Sequence, residues 1–146
     1  MPGLNAALAA RIDRVIGNVQ AEKPVVRFNW FVTPIASRLF PEGSHDANVE
    51  ASEAAARALA ADHTAAGELL WLRVERQSFV RLPETGALAF GIHTYSDPLA
   101  AIAEEPDSLA ALQRLLTAYS DERLAYGGML ATKAPILRWI ADRLSA

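Results

Sequence analysis

Arg73, Glu75, Arg76 and Gln77 put four polar side chains within five residues of a stretch that otherwise reads as β-strand. Guanidinium groups fork onto carboxylates and similar anions, and a carboxylate accepts from cations and amines. The cluster therefore suits an anionic or polar ligand, with a carboxylate at Arg76 or an amine at Glu75. It equally suits a structural ladder in which Glu75 is tied to Arg73, Arg81 or Arg27. Asn29 is a second candidate, because asparagine is depleted in strands unless its amide is used. His93 lies near Gly91, where a flat ligand can approach the backbone closely. Its imidazole can ligate iron or donate to a buried acceptor; the plainer reading is a strand histidine bonded to Tyr95 or Arg76. His45, beside Asp46 in a loop, and His63, on an Ala-rich helix, read as solvated surface residues.

The element that positions these groups is Leu69–Pro98, LLWLRVERQSFVRLPETGALAFGIHTYSDP. Leu70, Leu72, Val74, Val80 and Leu82 alternate with Trp71, Arg73, Glu75, Gln77, Phe79 and Arg81, the period of a strand. Pro83-Glu84-Thr85-Gly86 is a turn signal, with proline presetting φ and glycine allowing φ > 0. If those four residues are the whole loop, Arg81 faces Leu88, Phe79 faces Phe90, Gln77 faces Ile92 and Glu75 faces Thr94. One side of the hairpin then presents Arg73, Glu75, Gln77 and Arg81 amid apolar groups. The other presents Arg76, Ser78, His93 and Tyr95 around Gly91. A central strand carrying so many polar groups is costly unless they pair.

The rest of the chain supplies support. Asn5–Gln20 reads as an amphipathic helix through Leu4, Leu8, Ile12, Val15, Ile16 and Val19, ended by Pro24. Val25–Thr33 reads as a strand with Val26, Phe28, Trp30 and Val32 on an apolar face, stopped by Pro34. Ile35–His45 is expected to be a loop. The Ala-rich stretch Asn48–Ala66 reads as a helix closed by Gly67. Asp97-Pro98 reads as a helix start, Pro106 as a restart, and Ser120 as the cap of a short segment ending at Gly127-Gly128. Pro135–Leu144 is a last amphipathic helix. The sum is one α+β domain over residues 1–146, with a small antiparallel sheet of about three strands and flanking helices.

Composition narrows the function classes. The 146 residues are 51% hydrophobic and 21% charged, with a net charge of −3 and a pI near 5.6. That balance argues against a nucleic-acid or anionic-membrane footprint. The absence of cysteine excludes disulfides, thiolate metal sites and cysteine nucleophiles. No apolar run approaches the ~20 residues that span a bilayer, and no signal peptide is evident, so a cytoplasmic location is the default expectation. There is no Gly-rich phosphate loop, HExxH or Ser-His-Asp order. No catalytic residue is assigned.

Two stretches carry a resemblance. Arg27-Phe28-Asn29-Trp30, followed some forty residues later by LRVERQSFVRLPETGALAFGIHTY, resembles the haem-dependent oxidative N-demethylase family. The matching positions are Arg27, Asn29, Trp30, Arg73, Glu75, Arg76, Gln77, Arg81, Leu82, Pro83, Gly86, Phe90, Ile92, Thr94 and Tyr95. The resemblance covers about residues 24–128 and only the C-terminal half of the family's members, which are typically about twice this length. It implies a PAS-type haem-binding domain in which haem supports oxidative removal of a methyl group from a secondary amine such as dimethylamine, giving formaldehyde. It also implies flavin and iron–sulfur electron-transfer partners, as in some relatives. The cofactor-binding set is then Arg27, Asn29, Arg73, Glu75, Arg76, Gln77, His93 and Tyr95. His93 enters as the iron ligand on physical grounds, and a haem propionate would suit Arg76. A homodimer or a second subunit is expected to supply the missing half. Two further readings stand beside this one: a non-enzymatic PAS-like ligand-binding or assembly module that has lost the haem pocket, and a small-molecule sensor.

Overall fold

The computed structural model describes residues 6–37 and 44–145, with side chains described from 12 to 37 and from 49 to 145. The chain is α+β: three strands form an antiparallel sheet in the order β1-β2-β3, with helices before, between and after them. The strands are β1 (Val25–Thr33), β2 (Trp71–Arg81) and β3 (Leu88–Pro98). The helices are α1 (Ala6–Gly17), α2 (Ser44–Ala61), α3 (Ala66–Leu69), α4 (Leu99–Ile102), α5 (Pro106–Ala118), α6 (Asp121–Tyr126) and α7 (Lys133–Leu144). The chain divides into two compact units, one drawn from Met1–Asn29 and Glu75–His93, the other from Trp30–Val74 and Thr94–Ala146. Each strand contributes residues to both.

The first unit holds α1, the start of β1 and the tip of the β2–β3 hairpin. The hairpin turn is the four-residue loop the sequence predicts. Leu82 N–H donates to the Ala87 carbonyl at 2.8 Å and Gly86 N–H to the Leu82 carbonyl at 2.9 Å. Gly86 has φ +69°, which a side chain would oppose. The register follows: Phe79 and Phe90 stack with centroids 4.6 Å apart. Arg81 fastens the turn to the end of α1. Its Nε donates to the Val19 carbonyl at 2.7 Å and its two terminal nitrogens to the carbonyls of Ile16 at 2.9 Å and Gly86 at 2.8 Å. Carbonyls at a helix end lack intrahelical donors, and a fixed guanidinium fork is suited to take several at once.

The second unit contains the apolar core. Leu59, Leu70, Leu99, Leu109, Leu116, Leu124, Ile136, Trp139 and Ile140 are all buried, with Val32 from the end of β1. Trp30 stacks on Tyr119 with centroids 5.3 Å apart, and Val32 N–H donates to Sδ of Met129 at 3.2 Å. Leu99 N–H donates to the Leu70 carbonyl at 2.8 Å, which fixes the entry to β2 against the exit from β3.

Several expectations are corrected. Helix α1 is shorter than Asn5–Gln20, and Ile12 and Val15 are exposed rather than inward. The side chains of Leu4 and Leu8 lie outside the described residues. Helix α2 begins at Ser44, inside the expected loop Ile35–His45; residues 38–43, and the His45 side chain, lie outside the described residues. The Ala-rich helix stops at Ala61 because the Asp62 carboxylate takes the amide of Thr64 at 2.9 Å and its hydroxyl at 2.6 Å. Such a side chain competes with the helical backbone. The same two donors, the hydroxyl first, hold the Asp62 carboxyl below the ordinary carboxylate range. His63 then sits in a 3-10 turn (His63–Ala65) and pairs with Asp142 at 2.8 Å instead of standing free. Asp97 caps no helix, because β3 runs on to Pro98. Gly67 lies inside α3 rather than closing a helix.

Gly67 is required by packing. A Cβ there would stand 3.0 Å from the buried Trp139 ring and 3.2 Å from Ala100 Cβ. An ordinary helical Gly→Ala change gains about 1 kcal/mol. Gly67→Ala is expected instead to lower stability by about 1–3 kcal/mol through overpacking. Urea denaturation measures this, and a more stable variant would contradict it.

Candidate functional site

Alternation along β2 puts Arg73, Glu75 and Gln77 on one side of the strand, where all three are buried, and Arg76 on the other, where it is exposed. Burial of a charged or amide side chain is tolerated only with partners. In the first unit those partners form a relay. Gln77 Nε2 donates to the Glu75 carboxylate at 2.9 Å, and Arg27 Nε, from β1, donates to Gln77 Oε1. The glutamine lets a strand-central carboxylate and a guanidinium on the neighbouring strand share one chain of hydrogen bonds. Gln77 thus ties Glu75 to Arg27 through one intervening amide.

In the second unit Arg73 is fastened separately. It donates to the Ser37 carbonyl at 2.8 Å and to Thr94 Oγ1 at 3.4 Å, and its guanidinium lies 5.7 Å from the centre of the Phe31 ring. Ser96 on β3 donates to the Ala36 carbonyl at 3.2 Å. The segment after β1 is therefore held by two side chains from β2 and β3. Tyr95 is exposed on β3 of this unit, and Asn29, in the first unit, is half-buried.

The other side of the first unit's sheet is open. Val26 and Phe28 on β1 are 41% and 64% exposed, and Arg76, Gly91 and His93 are exposed beside a half-buried Ser78. The register places His93 opposite Arg76 and Gly91 opposite Ser78, whose hydroxyl donates to the Gly91 carbonyl at 3.4 Å. A Cβ at Gly91 would come within 2.9 Å of that hydroxyl. This side offers an imidazole, a guanidinium and apolar surface on a flat ribbon. Val26 and Phe28, expected on one apolar face with Trp30 and Val32, are exposed. Only Trp30 and Val32 pack against the core. The polar side chains of Arg76 and Ser78 on the same side of β2 were the available signal.

The eight candidate residues thus fall into distinct places. Arg27, Glu75 and Gln77 are linked on one side, with Glu75 and Gln77 buried and Arg27 exposed, Arg73 is tied down in the second unit, and Arg76 and His93 share the open side. A groove of about 400 Å³ on the helical layer is lined by Gln113, Arg114, Thr117, Ala118 and Leu137, none of them a candidate. Among the described residues no group of three or more His, Asp or Glu is placed to hold a metal ion.

Comparison with known families gives a match over residues 1–137 to the family described as haem-dependent oxidative N-demethylase, alpha subunit-like. The chain belongs to that family. The match extends on both sides of the stretch 24–128 that carries the sequence resemblance.

Glu75→Gln tests whether the relay is structural. It removes the buried charge and leaves one acceptor oxygen, which can still take the Gln77 amide, while an N–H₂ stands where the second carboxylate oxygen was. The expected loss is about 1–3 kcal/mol of unfolding free energy. An unchanged urea midpoint would contradict the assignment.

Proposed function

We propose that this member of the haem-dependent oxidative N-demethylase, alpha subunit-like family is a haem-binding, PAS-like α+β domain that acts on small secondary amines, in the cytoplasm, as part of a larger assembly. Family membership supports haem dependence, and the family's description as alpha subunit-like supports an assembly. Among the described residues no helix is long and apolar enough to cross a membrane.

The observation that carries the reading is the open side of the first unit's sheet. His93 there is exposed and lies opposite Arg76, beside Gly91 and the exposed Val26 and Phe28. This donor set suits one wall of a haem site. His93 would ligate the iron, Arg76 would hold a propionate, and the apolar side chains with Gly91 would take the macrocycle. When bound, haem supplies the oxidising chemistry that removes an amine methyl group as formaldehyde. The chain's own residues provide orientation and charge. The relay of Arg27, Gln77 and Glu75, on the opposite side of β2, keeps the ribbon in one register beneath that wall. A second subunit closes the other side.

The test is direct. Haemin added to the purified protein is expected to give a sharpened Soret band at stoichiometric concentration. His93→Ala is expected to shift that band, and Arg76→Ala to weaken haemin binding by about tenfold, the loss of roughly one charge-assisted hydrogen bond. No spectral change with the unaltered protein would overturn the proposal.

A further inference from the structure

Arg27 is exposed on β1, yet its guanidinium is oriented by buried groups. Its Nε donates to Gln77 Oε1, and Gln77 Nε2 in turn donates to the Glu75 carboxylate at 2.9 Å. Glu75 and Gln77 are both buried, so packing fixes the two groups that aim the arginine. A guanidinium carries five N–H donors. Arg27 spends the one on Nε. Among the described residues its two terminal nitrogens have no partner, and no carboxylate pairs with them directly. The compensating negative charge stands behind the Gln77 amide. The end of the guanidinium is thus left to solvent, and its two parallel N–H groups are the fork that takes both oxygens of a carboxylate. A surface arginine loses rotamer freedom when it binds such a group. Here folding has already fixed the side chain, which removes part of that cost.

The same side of the first unit carries apolar surface. The register places Ile92 opposite Gln77, and Phe90 opposite Phe79, on which it stacks. Ile92 and Phe90 are 52% and 50% exposed. Two strand spacings, about 10 Å, separate β1 from β3. We propose that this side binds a small carboxylate with an apolar body, the carboxylate forked by Arg27 and the body lying over Ile92 and Phe90. Glu75 and Gln77 are its positioning residues. Arg76 and His93 stand on the opposite side of the ribbon, so this site is separate from the haem wall and neither reading rests on the other.

The probe is 4-phenylbutyrate, with acetate as the charge without the body and 4-phenylbutylamine as the body with the opposite charge. In NMR titrations of the unaltered chain, 4-phenylbutyrate is expected to shift the Arg27 Nε–H and the Ile92 methyl groups and to saturate at about millimolar concentration, the scale for a ligand of this size. Acetate is expected to bind several-fold more weakly, and the amine to leave the Arg27 resonance in place. Arg27→Lys keeps the charge and loses the fork, and is expected to weaken binding at least tenfold with an unchanged circular dichroism spectrum. Gln77→Met keeps the net charge and loses the relay. It is expected to weaken binding several-fold and to speed solvent exchange of the Arg27 Nε–H. Haemin is expected not to displace the probe. The absence of saturable shifts overturns the proposal, as does equal binding of the amine or of Arg27→Lys. Equal binding by a folded Gln77→Met overturns the positioning role, and displacement by haemin overturns the separation of the two sites.

Discussion

The constraint on which the structure depends is that the central strand buries charge. Arg73, Glu75 and Gln77 occupy alternate positions of β2 and are 4%, 9% and 6% exposed. Withdrawing such groups from water costs several kcal/mol for each ion unless partners replace the solvent. The chain meets this locally and twice. In one unit, Gln77 mediates between Glu75 and Arg27. In the other, Arg73 spends its donors on the Ser37 carbonyl and the Thr94 hydroxyl. Both solutions specify register, since a one-residue slip of β2 would carry the buried charges to the opposite side.

A strand with one side so committed leaves its other side, with Arg76 and His93, for the proposed haem contact. Ser78 and Gly91 show how that side is kept flat: the serine hydroxyl reaches the glycine carbonyl through the space a side chain would fill. Arg81 acts at the end of the same strand. By gathering the carbonyls of Ile16, Val19 and Gly86 it joins the hairpin turn to the end of α1 without adding a hydrophobic contact. Among the described side chains of the first unit Val19 is the one buried hydrophobic, and polar bonds of fixed geometry hold the hairpin turn in place. The second unit is held by a conventional core around Trp139, Leu116 and Ile140.

Features whose cause is local were legible in the sequence. The bounds of β1, the turn Pro83–Gly86 and the Phe79–Phe90 register follow from alternation and turn chemistry, and Ser120 caps α6 by accepting the Arg123 amide. Features set by distant partners were not. The break at Asp62 needed the Thr64 bonds to outweigh alanine's helix preference. Gly67 answers to Trp139, more than seventy residues away in the chain. Val26 and Phe28 look like core because hydrophobicity does not say which end of a strand meets a helix layer. The candidate polar residues and their division between two sides of β2 followed from strand alternation, but the burial of Arg73, Glu75 and Gln77 and the partners that Arg27 and Ser37 supply came only with the structure.

The central claim is that the two sides of this ribbon do different work, one holding the fold and the other meeting the cofactor. Methyl-resolved NMR with diamagnetic zinc protoporphyrin tests it most directly, because ring-current shifts fall off within a few ångströms of the porphyrin. The account predicts large shifts for the methyl groups of Val26, Val80 and Ala89, on the side of His93, and small ones for Leu88 and Ile92. Shifts concentrated on Leu88 and Ile92, or spread equally over both sets, would contradict it.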